Sequence, residues 1–80
     1  MSERHRADWI YGTPITGTVA RIVRDRGFAF IHVEGSKDDY FLHMSAFDGD
    51  FQTLQEAQAL TFTPVTTPKG LRAEQATRMR

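Results

Sequence analysis

Phe28, Phe30 and His32 alternate with Ala29, Ile31 and Val33 in the stretch RGFAFIHV. A strand sends successive side chains to opposite faces. Both faces here are apolar or aromatic, yet a small domain has only one core to fill. The pattern returns in YFLHM, where Tyr40, Leu42 and Met44 alternate with Phe41 and His43. With Ile31 and Leu42 turned inward, Phe28, Phe30, Phe41 and His43 become one outward patch. Flat rings on a surface can stack on unpaired bases, a contact worth about 1–3 kcal/mol per base and tolerant of sequence. Arg21, Arg24 and Arg26 lie just upstream. A guanidinium can pair with phosphate or stack by its plane. The competing arrangement makes the phenylalanines core and turns Ala29, Ile31 and Leu42 towards a second layer. It needs a covering helix, and no segment has the length and start signals of one.

Other chemistry finds little support. His5, His32 and His43 are not at ligand spacing and cysteine is absent, so no metal site is expected. Asp38 and Asp39 are neighbours in a turn, and Asp48 and Asp50 suit a polar loop. Ser45 has no histidine–acid constellation around it. GSK and PKG lack the spacing of a phosphate-binding loop. No catalytic residue and no cofactor are expected, and the chain reads as a non-enzyme.

The elements that must position the rings are short. ITGTVARIV, from Ile15, is rich in β-branched residues and reads as a first strand. DRG turns the chain into a second strand, FAFIHVE. EGSKDD has strong turn chemistry and leads to a third, YFLH. MSAF suits one helical turn before the polar loop DGDFQTLQEAQ. ALTFTPV reads as a fourth strand with Leu60 and Phe62 on one face, and Pro64 suggests an edge or a bulge. After the turn TPKG, LRAEQATRM makes a fifth. Five short strands with frequent turns predict a small all-β barrel or sandwich, and barrel closure removes exposed edges.

The 80 residues make one domain near the lower size limit for a single core. Residues 1–14 read as a polar leader, and 15–80 as the folded domain. The start, MSERHRADW, is too polar for a signal peptide. No apolar run nears the roughly 18 residues of a membrane span. A cytoplasmic location without membrane contact is expected. The zero net charge hides an asymmetry: residues 1–30 sum to +2, 31–60 to −5 and 61–80 to +3. Neutrality argues against strong nonspecific attraction to nucleic acid, but permits a locally basic face.

These residues resemble the bacterial cold-shock proteins. RGFAFI looks like the family's first ribonucleoprotein motif and YFLH like its second. Support comes from GTV in strand one, Asp39 ahead of YFLH, HMSAF after it, LQEAQALTF, and PKG with Gln75. The likeness runs from about Gly17 to Ala76. RGFAFI also fits an RRM, but there the second-named motif lies upstream and two helices back the sheet. The resemblance implies a five-stranded antiparallel OB-fold barrel that binds single-stranded RNA or DNA. It implies that Phe28, Phe30 and Phe41 stack on bases and that His43 stacks and hydrogen-bonds. Phe51 matches a further aromatic platform, Asp39 an acid that bonds a base edge, Lys69 a basic residue of the last loop, and Arg26 a lysine beside the first motif.

The departures are equally specific. Ala20 and Arg21 stand where the family usually has lysine and tryptophan, Ala29 replaces a glycine, and Met44 replaces a phenylalanine. Arg21 therefore enters the expected site in place of a ring, predicting binding that is weaker or shifted in base preference. Alternatively, Trp9 or Tyr11 of the leader folds over the sheet and supplies the missing ring. The expected function is that of an RNA chaperone or cold-shock-type regulator working by base stacking. The alternative, from a different class, is a protein-interaction or assembly module using the same aromatic face.

Overall fold

The computed structural model describes residues 13–79. Trp9, Tyr11 and nearly all of the expected leader lie outside the described residues. Five strands make the domain: β1 (Ile15–Val23), β2 (Phe28–His32), β3 (Tyr40–His43), β4 (Ala59–Thr67) and β5 (Gly70–Arg78). They close into a barrel in the order β1-β2-β3-β5-β4. The β1–β2, β2–β3, β1–β4 and β4–β5 pairs are antiparallel, as expected. The β3–β5 pair is parallel, with Phe41 opposite Arg72, so the barrel is mostly antiparallel. Closure between two strands far apart in sequence does not constrain them to the hairpin sense that a tight turn imposes.

β1 serves two sides of the barrel. Ile15–Thr18 pair with β4 and Thr18–Val23 with β2. The ladder slips between Val19 and Arg21, leaving Ala20 as the extra residue of a bulge. A slip of one residue exchanges faces. Val19 is therefore buried opposite Ile31, while Arg21 points outward opposite Phe30. The β4–β5 ladder also slips, between Thr61 and Thr63, and its extra residue lies in β5, where Gln75 has a positive φ of 52°. Pro64 follows that slip and lies beyond the last β1 rung, Ile15–Phe62, so its missing N–H costs no β1–β4 bond.

The interior is shut off from solvent. Ala29, Ile31, Leu42, Leu54, Leu60, Phe62, Ala73 and Ala76 are wholly inaccessible. The alternation read from the second and third strands thus has its apolar, non-aromatic set inside. The loop between β3 and β4 adds Phe47, Phe51 and Leu54 to the same cluster. Two 3₁₀ turns shape that loop, Met44–Ala46 and Phe51–Thr53, the second capped by the Asp50 carboxylate accepting from Gln52 N–H at 3.0 Å. Arg24, in a 3₁₀ turn over Arg24–Arg26, ties the loop down. Its guanidinium donates to the carbonyls of Phe51, Gln52 and Leu54 at 3.4, 3.0 and 2.6 Å. Gly27 then takes φ 75°, the left-handed turn that lets Phe28 start β2.

Candidate nucleic-acid interface

The outward side chains of four strands line up in rungs. The central rung runs Arg21, Phe30, Phe41, Arg72 across β1, β2, β3 and β5. The rung beside it is Val23, Phe28, His43. Phe28, Phe30, Phe41 and His43 are all partly exposed, while their sequence neighbours Ala29 and Leu42 are fully buried. The rings form one cluster. Phe28 and Phe30 meet edge-on at 5.6 Å and 83°, Phe30 and Phe41 at 6.0 Å and 69°, and Phe28 and Phe41 at 5.3 Å and 38°. Such mixed geometry suits the ring quadrupole. It also leaves ring faces and edges presented at several angles rather than one flat plate.

Cations bracket this cluster. The Arg21 guanidinium carbon lies 5.9 Å from the Phe30 centroid, and that of Arg72 5.6 Å from the Phe41 centroid. Lys69 lies in the β4–β5 turn, which Thr67 holds by accepting from Lys69 N–H at 3.2 Å and donating to the Gly70 carbonyl at 2.8 Å. With Phe30, Phe41, Thr67, Pro68 and Arg72 it lines a groove of about 660 Å³. Arg21 on one side and Arg72 with Lys69 on the other, far apart in sequence, thus stand at the two margins of one aromatic face.

The histidines and Asp39 complete the surface. The His43 Nδ1 accepts from the Ser45 N–H at 3.1 Å and lies 2.8 Å from the Ser45 hydroxyl. A ring nitrogen used as an acceptor places the neutral imidazole's proton on Nε2, leaving a free donor on the other side of the ring. Asp39 is exposed just before β3, and its carboxylate lies 3.2 Å from the His32 Nδ1. Arg26 is exposed in the 3₁₀ turn one residue from Gly27.

Two expectations change here. Phe51, expected as a further platform, is 6% exposed and meets Phe47 edge-to-face at 6.4 Å. The loop that carries it folds onto the core, so the ring is a filler and not part of the outer face. Arg24, a candidate phosphate contact by sequence, has its guanidinium committed to three loop carbonyls. Conversely, Arg72 went unnoticed in the sequence. The alternation of LRAEQ around the buried Ala73 turns it outward, but its neighbour Phe41 is set only by the β3–β5 pairing.

A closed five-stranded barrel with this strand order and this outward face defines an OB-type domain. The sequence model of the 'Cold-shock' DNA-binding domain matches residues 15–79. The cold shock-like protein CspLB of Listeria monocytogenes is 45% identical over 65 residues, covering 80% of this chain and 97% of its own length. The cold shock-like protein CspA of Stigmatella aurantiaca is 45% identical over 60 residues, 74% of this chain and 88% of that protein. Among solved structures, drosophila Unr CSD456 superposes with a TM-score of 0.73 at 17% identity, a likeness of fold. It covers 100% of this chain, which spans 32% of that one. The chain belongs to the cold-shock domain family, a family of nucleic-acid-binding domains and not of enzymes. No helix among the described residues is long and apolar enough to cross a membrane.

Proposed function

We propose that the domain binds single-stranded RNA or DNA by stacking bases on Phe28, Phe30, Phe41 and His43. One observation carries this: three phenylalanines stand partly exposed on the outer face of a barrel that has a separate buried core. A contiguous aromatic patch on a small domain is costly to leave in water unless it has a partner. Arg21, Arg26, Lys69 and Arg72 supply the positive charge that a phosphate backbone requires, and Asp39 and His43 the polar groups that meet base edges. Met44, half-exposed on the family's phenylalanine position, covers Gly27 and adds no ring. With arginine in place of tryptophan, the face holds fewer platforms than the family pattern. Contacts of this size are weak and reversible, and opened RNA held this way re-pairs slowly, which is the work of a chaperone without ATP.

The test is titration of a labelled pyrimidine-rich heptamer followed by anisotropy. Phe28→Ala and Phe41→Ala should each weaken binding by about fivefold or more, from the loss of one stacked base. Raising salt should weaken binding with a shallow slope, about −0.7 per phosphate neutralised on a single strand. A folded protein that ignores the heptamer at low salt refutes the proposal. Retained binding in both variants would move the site off this face.

A further inference from the structure

Resting on the nucleic-acid reading above, we propose that Arg72 is a base-specificity residue that makes the Phe41 subsite prefer guanine. Arg72 is partly exposed at the end of the central rung, beside Phe41 and in the groove that Phe30 and Lys69 share. Its two ends differ. The Nε is buried without a hydrogen-bond partner among the described residues and lies 3.3 Å from the Glu74 carboxylate, a charge pair within β5. The side chain as a whole keeps 39% of its surface exposed, which the buried Nε does not supply. Glu74 thus faces the inner end of the guanidinium by charge alone, and the exposed part of the side chain lies towards its outer fork.

The fork is also at the right distance. Its central carbon stands 5.6 Å from the Phe41 centroid. Surfaces in contact are separated by about 3.5–4 Å. The guanidinium lies over the ring within cation–π range, so a base entering this subsite meets it directly. A base lying on Phe41 would present an edge to two donors set a fixed distance apart.

That edge decides the preference. A guanidinium fork needs two adjacent acceptors. Guanine offers N7 and O6, the commonest specific partner of arginine, whereas adenine offers an acceptor beside a donor. Uracil and thymine alternate acceptor, donor and acceptor along their exposed edge. Cytosine can offer O2 and N3 when unpaired, but with a smaller ring to stack. Lysine would supply the charge without the fork, being a point charge on a flexible stem. The specificity therefore belongs to the arginine fork, with the Glu74 carboxylate beside its inner end.

A guanine scan tests this. The probes are an oligo(U) heptamer and seven versions carrying one guanine each, with matching adenine and cytosine series, titrated against the whole chain. Guanine should gain about fivefold to tenfold over adenine at one position, the nucleotide over Phe41, with cytosine between them. Arg72→Lys, which keeps the charge and loses the fork, should abolish the guanine gain, read as the ratio of guanine to adenine affinity within each variant so that any change in overall affinity cancels. Glu74→Gln, which frees the Nε end, should reduce the gain without weakening oligo(U). Thermal unfolding of each variant shows that the barrel is intact. A flat ranking in the wild type, or an unchanged ranking in Arg72→Lys, with oligo(U) still bound, overturns the role of Arg72 alone. Failure of every probe to bind at low salt would refute the nucleic-acid reading and this inference with it.

Discussion

Phe30 is the ring through which stability and binding are most closely joined. It stands between Arg21 and Phe41 on the central rung, meets Phe28 and Phe41 at 5.6 and 6.0 Å, and forms one wall of the groove. On the proposed mode of binding, removing it deletes a stacking platform, a loss of about 1–3 kcal/mol or roughly 5- to 150-fold in affinity. It also deletes two aromatic pairs, each worth about 0.5–1.5 kcal/mol when well packed. Because the ring is half-exposed, the lower end applies, and Phe30→Ala should destabilise the barrel by about 1–2 kcal/mol. For a domain of this size that is a fall in Tm of about 4–16 °C. Such a loss is serious where a small core supplies only about 3–5 kcal/mol. Phe30→Leu separates the two effects, since leucine keeps most of the apolar volume but has no π-face. Its Tm should stay closer to that of the wild type than that of Phe30→Ala, while its affinity falls nearly as far. Anisotropy with a labelled heptamer near 15 °C, alongside thermal unfolding by circular dichroism, reads both quantities. If Phe30→Leu and Phe30→Ala both bind within twofold of the wild type while folded, base stacking on this rung is the wrong mechanism.

Two further outcomes concern residues away from the rings. Ala57 has a φ of 71°, held by its N–H donating to the Val19 carbonyl at 2.7 Å; Ala57→Gly relieves that left-handed strain and should gain about 0.5–1 kcal/mol, or about 2–8 °C in Tm by calorimetry. Arg24→Ala should cost about 1–2 kcal/mol, because three loop carbonyls lose a charged donor, and leave heptamer affinity within twofold; a large loss of affinity would return Arg24 to the binding face.

The site was more legible than its borders. Phe28, Phe30 and Phe41 could be assigned to an outer face because their neighbours Ala29, Ile31 and Leu42 offer a complete inner set, and 80 residues cannot cover two apolar faces. Strict alternation along ITGTVARIV, however, gives Arg21 the face of the buried Val19. Only the bulge at Ala20 moves it among the rings, and a bulge leaves no mark in residue types here. Arg72 was missed for a topological reason: a parallel contact between strands thirty-one positions apart, Phe41 and Arg72, is decided by barrel closure and not by any local pattern. Phe51 was misplaced because it sits in a polar stretch, DGDFQT, that looks solvated. The segment in fact turns its one ring and Leu54 inward, where Arg24 holds it.

The lone parallel contact between β3 and β5 has a consequence for how the domain is made. It is the seam at which the sheet becomes a barrel, and it joins Phe41 to a strand near the end of the chain. During synthesis the aromatic hairpin emerges first, with one flank bare. The cationic border contributed by Arg72 and Lys69 arrives only when the last strand docks. A nucleic acid lying across Phe41 and Arg72 would bridge that seam, and whatever binds the closed form alone holds it closed by mass action. Ligand and final strand thus act on the same joint: occupancy would make the least locally encoded contact of the barrel the hardest to open.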